Sequence, residues 1–120
     1  SVIPSDRVLG LEENAGREEL LMFARNYGTS LVSLHRTGEE HGWYAYVRVM
    51  DLVLDSRPVA AFTTPMPVIP AGATKLDALQ RLQAEGALQG VVVRGERTLG
   101  IVSTRGLVEQ LFRATVAPAG

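Results

Sequence analysis

The feature that most constrains this chain is an internal repeat. When the sequence is shifted by 58 positions, Gly86 falls on Gly28 and Leu79 falls on Leu21. Each copy predicts the same order: an extended segment, a helix closed by a glycine, two strands and a second helix. One copy is too small to bury an adequate core. The two copies are therefore expected to pack sheet against sheet and to leave clefts between them.

The repeat also predicts the organisation of the chain. The first copy covers residues 1–55, a linker 56–63, the second copy 64–114 and a tail 115–120. The predicted fold class is α+β, with tandem β-α-β-β-α repeats related by pseudo-two-fold symmetry. The sequence begins with a serine instead of a methionine, which indicates a segment cut from a longer protein or a tagged form.

Composition and motifs exclude several classes of function. The 120 residues include 12 basic and 13 acidic side chains, and the basic ones are scattered singly, so no nucleic-acid partner is expected. No cysteine is present, which excludes disulfides and thiolate metal sites. No apolar run approaches the ~20 residues that cross a bilayer. The sequence contains no nucleophile elbow, phosphate loop or zinc-protease motif, so the chain is predicted not to be an enzyme.

Local patterns place the main elements. A strand is expected over Arg7–Leu11, and a helix over Arg17–Tyr27 with Asn14 as its N-cap. In the second copy Thr74 is expected to cap a helix. The stretch from Gly90 to Val102 then predicts a hairpin, because two β-branched runs flank a polar turn.

The segment after that hairpin is the first candidate for a binding site. Ser103, Thr104 and Arg105 follow a strand and open a helix, where unpaired amides and the helix dipole favour an anion. The simpler interpretation is that the two hydroxyl residues cap the helix.

The duplicated β-α-β-β-α unit with GIVSTRGL at its second strand-to-helix junction resembles a pair of cystathionine-β-synthase (CBS) domains, a Bateman module. The opening VIPSDRVLGLEENAGREELLMFARNYGTS is similar to the CorC/haemolysin-like branch, which is related to the CNNM magnesium transporters. The resemblance implies a regulatory module on the cytoplasmic face of a membrane protein, attached to a membrane-spanning domain. It also implies a homodimer, with Leu107–Phe112 and Met50–Val53 as candidate contact faces.

The ligand implied by the resemblance is an adenine nucleotide, AMP, ADP or ATP, with or without Mg²⁺, and no cofactor is required. In CBS modules a Ser or Thr at the end of the last strand meets phosphate, an aspartate three residues later binds the ribose, and the extended lead-in walls the adenine. In the first copy Asp51 matches the aspartate and Arg48 replaces the hydroxyl residue. The expected first-copy site consists of Ile3, Pro4, Ser30, Arg48 and Asp51.

The second copy departs from the pattern. Ser103 stands at the phosphate position with Arg105 beside it, but Gly106 replaces the aspartate and removes the ribose contact. The first-copy site is therefore the stronger candidate. The alternative function is a structural dimerisation module with degenerate ligand sites.

Each site residue also has a simpler interpretation. Asp51 at a helix start favours the dipole without any ligand, and Arg48 is equally compatible with a solvated surface. His35 and His41 lack a metal-like spacing with any acid, so no metal site is expected. The aromatic residues of the strand that begins at Trp43 are expected to serve packing.

Overall fold

The computed structural model describes residues 2–116, with side chains to residue 114. Within this range the strands are Ile3–Pro4 (β1), Gly10–Glu12 (β2), Leu31–His35 (β3), Trp43–Arg48 (β4), Thr63–Pro65 (β5), Val68–Pro70 (β6), Gln89–Arg94 (β7) and Arg97–Ser103 (β8). The α-helices are Arg17–Tyr27 (α1), Val49–Leu54 (α2), Lys75–Ala84 (α3) and Thr104–Val116 (α4). Two short 3₁₀ segments cover Ser5–Arg7 and Val59–Phe62. The last residues of the predicted tail, 117–120, lie outside the described residues.

The strand registers confirm the duplicated topology. Gly10 pairs with Ser33 in the parallel β2–β3 ladder, and the residues 58 positions later pair in the β6–β7 ladder. In the antiparallel ladders Val32 pairs with Val47, and Gly90 pairs with Val102. The second strand is thus offset by only 55 positions, which places the three extra residues of the first copy in the β3–β4 loop. Both ladders also shift register at the equivalent place, after Leu34 and after Val92.

The two sheets exchange their edge strands relative to the sequence repeats. One sheet has the order β1-β8-β7-β6 and the other β2-β3-β4-β5. The chain accordingly divides into two compact units, Ser1–Ser5 with Pro67–Gly120 (the C-terminal unit) and Asp6–Met66 (the N-terminal unit). The predicted boundaries 1–55 and 64–114 mark repeats in sequence order. The compact units are cut differently, because each sheet takes one short strand from the other repeat.

Each unit has its own apolar cluster, and the two clusters fill equivalent space with different residues. Helix α1 buries Leu20 and Ala24 in the N-terminal unit, whereas α3 buries Ala78 and Leu82 in the C-terminal unit. Since these positions correspond at an offset of 58, the large and small side chains have changed places. An exchange of this kind conserves the summed size of the two side chains and lowers the identity between the copies at these positions.

The helix ends and the first strand of the N-terminal unit follow the sequence with two corrections. Gly28 and Gly86 both adopt φ 62°, the left-handed conformation that a glycine after a helix provides. Thr74 caps α3 by accepting a hydrogen bond from the Asp77 N–H at 3.1 Å, as predicted. The N-cap of α1 is Gly16 and not Asn14, whose side chain instead donates to the Thr37 hydroxyl.

The second correction concerns the predicted strand over residues 7–11. The chain forms a 3₁₀ turn over Ser5–Arg7 and pairs only from Gly10 to Glu12. The pairing partner is β3, and its close approach at Gly10 leaves no space for a side chain, because a Cβ there would lie 2.3 Å from the Ser33 carbonyl oxygen. The Ser33 N–H also donates to the Leu9 carbonyl at 3.1 Å, so contact with β3 begins one residue before the strand.

Candidate functional site

The strand-to-helix junction of the N-terminal unit brings two predicted site residues together. Arg48 ends β4 in an extended conformation, and Asp51 lies in the first turn of α2. The Arg48 Nε and the Asp51 Oδ2 are 3.8 Å apart, and the two side chains are 58% and 34% exposed. At this exposure the pair adds little to stability. The junction thus presents a guanidinium and a carboxylate side by side, with both groups accessible to solvent.

The backbone around this junction is fixed by a contact that recurs in both units. The Val49 N–H donates to the carbonyl of Ser30 at 3.0 Å, which ties the start of α2 to the residue before β3. In the C-terminal unit the Thr104 N–H donates to the Leu88 carbonyl at 3.0 Å. Ser30 is therefore placed next to the Arg48–Val49 turn. Its side chain is exposed.

The junction of the C-terminal unit has the same backbone and different side chains. The Ser103 hydroxyl accepts a hydrogen bond from the Gly106 N–H at 2.9 Å, which makes it the cap of α4. Thr104 does not share this role, because its hydroxyl donates to the Ala87 carbonyl at 2.9 Å. Arg105 points to Glu109, with 3.4 Å between Nε and Oε1, and its side chain is 90% exposed. Ser103 thus caps the helix, while Arg105 is a solvated surface residue.

The structure divides the predicted first-copy set between the two units. Ile3 and Pro4 form β1 and pair with Ile101 and Gly100 of β8, in the C-terminal unit. A Cβ at Gly100 would lie 1.9 Å from the Ile3 carbonyl oxygen, so this position requires glycine. Ser30, Arg48 and Asp51 belong to the N-terminal unit.

Strand β5, which lies beside β4 in the same sheet, was not among the predicted site residues. Thr63, Thr64 and Pro65 form β5 and pair with Val47, Tyr46 and Ala45. The signal that could have found them is a proline near the start of each copy, at Pro4 and Pro65, although these prolines lie 61 and not 58 positions apart. Thr64 and Pro65 occupy the place in their ladder that Ile3 and Pro4 occupy in the β1–β8 ladder.

The contacts of Arg17, which stabilise the C-terminal end of α2, were also not predicted from the sequence. The Arg17 guanidinium donates to the carbonyls of Leu52 and Arg57, and so satisfies an acceptor at the helix end. Arg57 in turn pairs with Asp55, with 2.8 Å between Nη2 and Oδ2. The side-chain and backbone hydrogen bonds from Arg57 lower the pKa of the Asp55 carboxyl. These contacts fix the segment that follows Asp51.

His35 and two aromatic residues of β4 take part in packing. His35 and Trp43 meet edge to face at 5.0 Å, and the Arg36 guanidinium lies 4.7 Å above the Tyr44 ring. Within the described part of the chain, no three side chains of the types that ligate metals are grouped closely enough to hold an ion. No helix among the described residues has the length and hydropathy required to cross a bilayer.

Comparison with known proteins gives structural relatives only. No family model matches the sequence, and no curated protein matches it. The CBS domain of a bacterial CNNM/CorC family Mg²⁺ transporter in complex with ATP superposes with a TM-score of 0.79 at 22% identity, covering 92% of this chain and 83% of that one. A haemolysin-like protein containing a CBS domain from Oenococcus oeni PSU gives 0.80 at 14% identity, covering 92% and 86%.

A third similar structure contains AMP in place of ATP. The CBS-domain pair with bound AMP from Klebsiella pneumoniae superposes with a TM-score of 0.71 at 15% identity, covering 92% of this chain and 94% of that one. At these identities the likeness establishes the fold. Together with the repeated registers and the exchanged edge strands, it leads to one conclusion: the chain has the fold of a CBS-domain pair.

Proposed function

We propose that this chain is a non-catalytic regulatory module that binds an adenine nucleotide. The observation that carries the proposal is the accessible Arg48–Asp51 pair, 3.8 Å apart at the end of β4. A guanidinium binds phosphate through paired N–H donors, and a carboxylate accepts hydrogen bonds from the two hydroxyls of a ribose. The structural neighbours that contain ATP and AMP support the same ligand class.

In this proposal the expected site consists of Arg48, Asp51 and Ser30, together with an extended segment from the start of a repeat that packs against the adenine. Ile3 and Pro4 remain proposed wall residues, and Ser103 and Arg105 remain proposed for the second copy. A ligand that contacts one conformation of the module better than another shifts the population toward it. The module would in this way regulate an attached CorC-like membrane protein from its cytoplasmic face.

Isothermal titration calorimetry with AMP, ADP and ATP, each with and without Mg²⁺, tests the proposal. Asp51→Asn should weaken binding about tenfold or more, because hydrogen bonds to a charged group contribute about 1.5–3 kcal/mol. Asp77→Asn is the matched control, since Asp77 also lies in a first helical turn but in α3. If both variants bind like the wild type, or if the wild type releases no heat with any nucleotide, the proposal fails.

A structural dimerisation module is the second candidate, favoured by Gly106 and by exposed apolar side chains. Met50, Val53 and Phe112 are 53%, 59% and 63% exposed. Leu107, predicted to belong to this face, is buried at 2% exposure and packs in the core of the C-terminal unit. Sedimentation equilibrium of the wild type and of Phe112→Ser, taken together with the calorimetry above, distinguishes the two candidates. A stable dimer without nucleotide affinity supports this second function.

A further inference from the structure

A cavity of about 410 Å³ opens in the N-terminal unit, away from the Arg48–Asp51 pair. It is bounded by three segments: the loop Glu13–Ala15 before α1, residues Tyr44 and Ala45 of β4, and the stretch from Val59 to Pro65. Ala45 lies three residues before Arg48, which corresponds to about 10 Å along a strand. Every residue that lines this cavity lies within Asp6–Met66, so the unit forms it by itself.

The cavity has an apolar floor and a polar rim. Ala45 belongs to the buried cluster, and Ala15 and Val59 pack against it. Glu13 and Asn14 form the rim, and both make hydrogen bonds with Thr37. The Thr37 N–H donates to Glu13 Oε2 at 3.3 Å, and the Asn14 amide donates to the Thr37 hydroxyl at 3.1 Å. The volume and this mixture of surfaces are typical of small-molecule pockets of about 300–1,000 Å³.

The rim carboxylate is not neutralised within the unit. None of the ion pairs among residues 2–114 involves Glu13. The rim is also specific to this unit. At the repeat offset of 58, Glu13 and Asn14 correspond to Ala71 and Gly72, which offer no side-chain polar group. The polar rim is therefore not shared by the equivalent loop of the second copy.

We infer that this cavity is a second binding site, separate from the nucleotide site, for a small planar apolar ring that carries an N–H donor. The ring would cover the partly exposed apolar side chains of Ala15 and Val59, which lie against the buried Ala45. An amidine or amino group on it would donate to the Glu13 carboxylate and to the Asn14 amide oxygen. Benzamidine, a flat ring with a cationic donor, is the simplest probe of this chemistry.

The test uses the intact chain and follows its backbone amide resonances during titration with benzamidine. Saturable shifts are expected at Tyr44, Val59 and Thr63. Glu13→Gln should weaken the probe about tenfold or more, because it removes the charge from the acceptor. Glu18→Gln is the matched control, since Glu18 is an exposed acid of α1 that does not line the cavity.

A second pair of variants tests the location. Ala60→Trp places a large side chain in the cavity wall and should abolish the shifts. Ala61→Trp alters the next residue, which is also exposed but does not line the cavity, and should leave them unchanged. Should Ala60→Trp fail to fold, Glu13→Gln still decides the question.

Three outcomes overturn the inference. The resonances show no saturable shift at millimolar benzamidine, Glu13→Gln and Glu18→Gln weaken benzamidine binding equally, or Asp51→Asn abolishes benzamidine binding. The last result would mean that the cavity is part of the nucleotide site. Binding of benzamidine by a chain that binds no nucleotide would refute the proposed function and leave this inference standing.

Discussion

Replacing Gly106 with aspartate restores the carboxylate that the C-terminal junction lacks. The energetic cost to the fold is expected to be small. A glycine inside a helix costs about 1 kcal/mol relative to alanine and an aspartate about 0.7, and an acid in the first turn contributes about 0.3–1 kcal/mol through the dipole. Against this gain, a Cβ at this position would lie 3.0 Å from Ser103 Oγ. The hydroxyl must move slightly, and complete loss of its cap would cost about 1 kcal/mol.

These opposing terms nearly cancel, so Gly106→Asp should change the free energy of unfolding by less than about 1 kcal/mol. Its effect on binding should be much larger. A carboxylate that accepts a ribose hydroxyl contributes about 1.5–3 kcal/mol, which is roughly a 10- to 100-fold gain in affinity at the second junction. Calorimetry should then report a second nucleotide per chain, or a stronger one.

Two variants at the same position separate charge from shape. Gly106→Asn offers a similar shape without the charge and should gain less affinity, whereas Gly106→Ala should gain none. Chemical denaturation of all three variants measures the stability term independently. If Gly106→Asp folds with unchanged stability and binds no additional nucleotide, the alignment of Gly106 with the ribose-binding position is wrong.

Three further predictions concern the fold. Gly28→Ala should destabilise the chain by about 1–2 kcal/mol in urea unfolding, because its φ of 62° is left-handed, while a Cβ there meets nothing within 4 Å. Gly72→Ala, at a position that is also open but has no positive φ, should cost far less. Leu82→Ala, at a site with 0% exposure, should cost about 2–5 kcal/mol. NMR titration should show a pKa for Asp55 below 3.8, and Arg57→Gln should raise it. Since the folded pKa is lowered, this interaction favours folding above pH 3.8 and is lost as the pH falls through the folded value; an unshifted Asp55 would contradict the contact.

Residues with a local physical signature allowed much of the fold to be predicted from the sequence. The bounds of α1 and the Thr74 cap depend on hydrophobic spacing and on capping chemistry within a few residues. The repeat offset located equivalent strands, because equivalent glycines close α1 and α3. Such signals are carried by adjacent residues, so they are readable without a tertiary structure.

The assignment of the edge strands could not be predicted in the same way. Strands β1 and β5 contain two and three residues, and no periodicity in so short a segment indicates a partner. Gly100 carries the one local sign of the exchange, because β1 passes too close to it for any side chain. A glycine in a strand is compatible with several causes, so it does not identify the neighbour. The sequence therefore predicted Ile3 and Pro4 as part of the site with Arg48, and it did not predict that β5 pairs with β4.

The two strand-to-helix junctions combine one backbone geometry with two different sets of side chains. Their backbones are equivalent: the Val49 N–H donates to Ser30 and the Thr104 N–H donates to Leu88, each at 3.0 Å. This contact involves no side chain, so it survives substitution at the neighbouring positions. The side chains could then diverge into an accessible charged pair in one unit and a capping hydroxyl followed by Gly106 in the other. Since a diol needs an acceptor and only the first junction offers a carboxylate, we expect one nucleotide per chain.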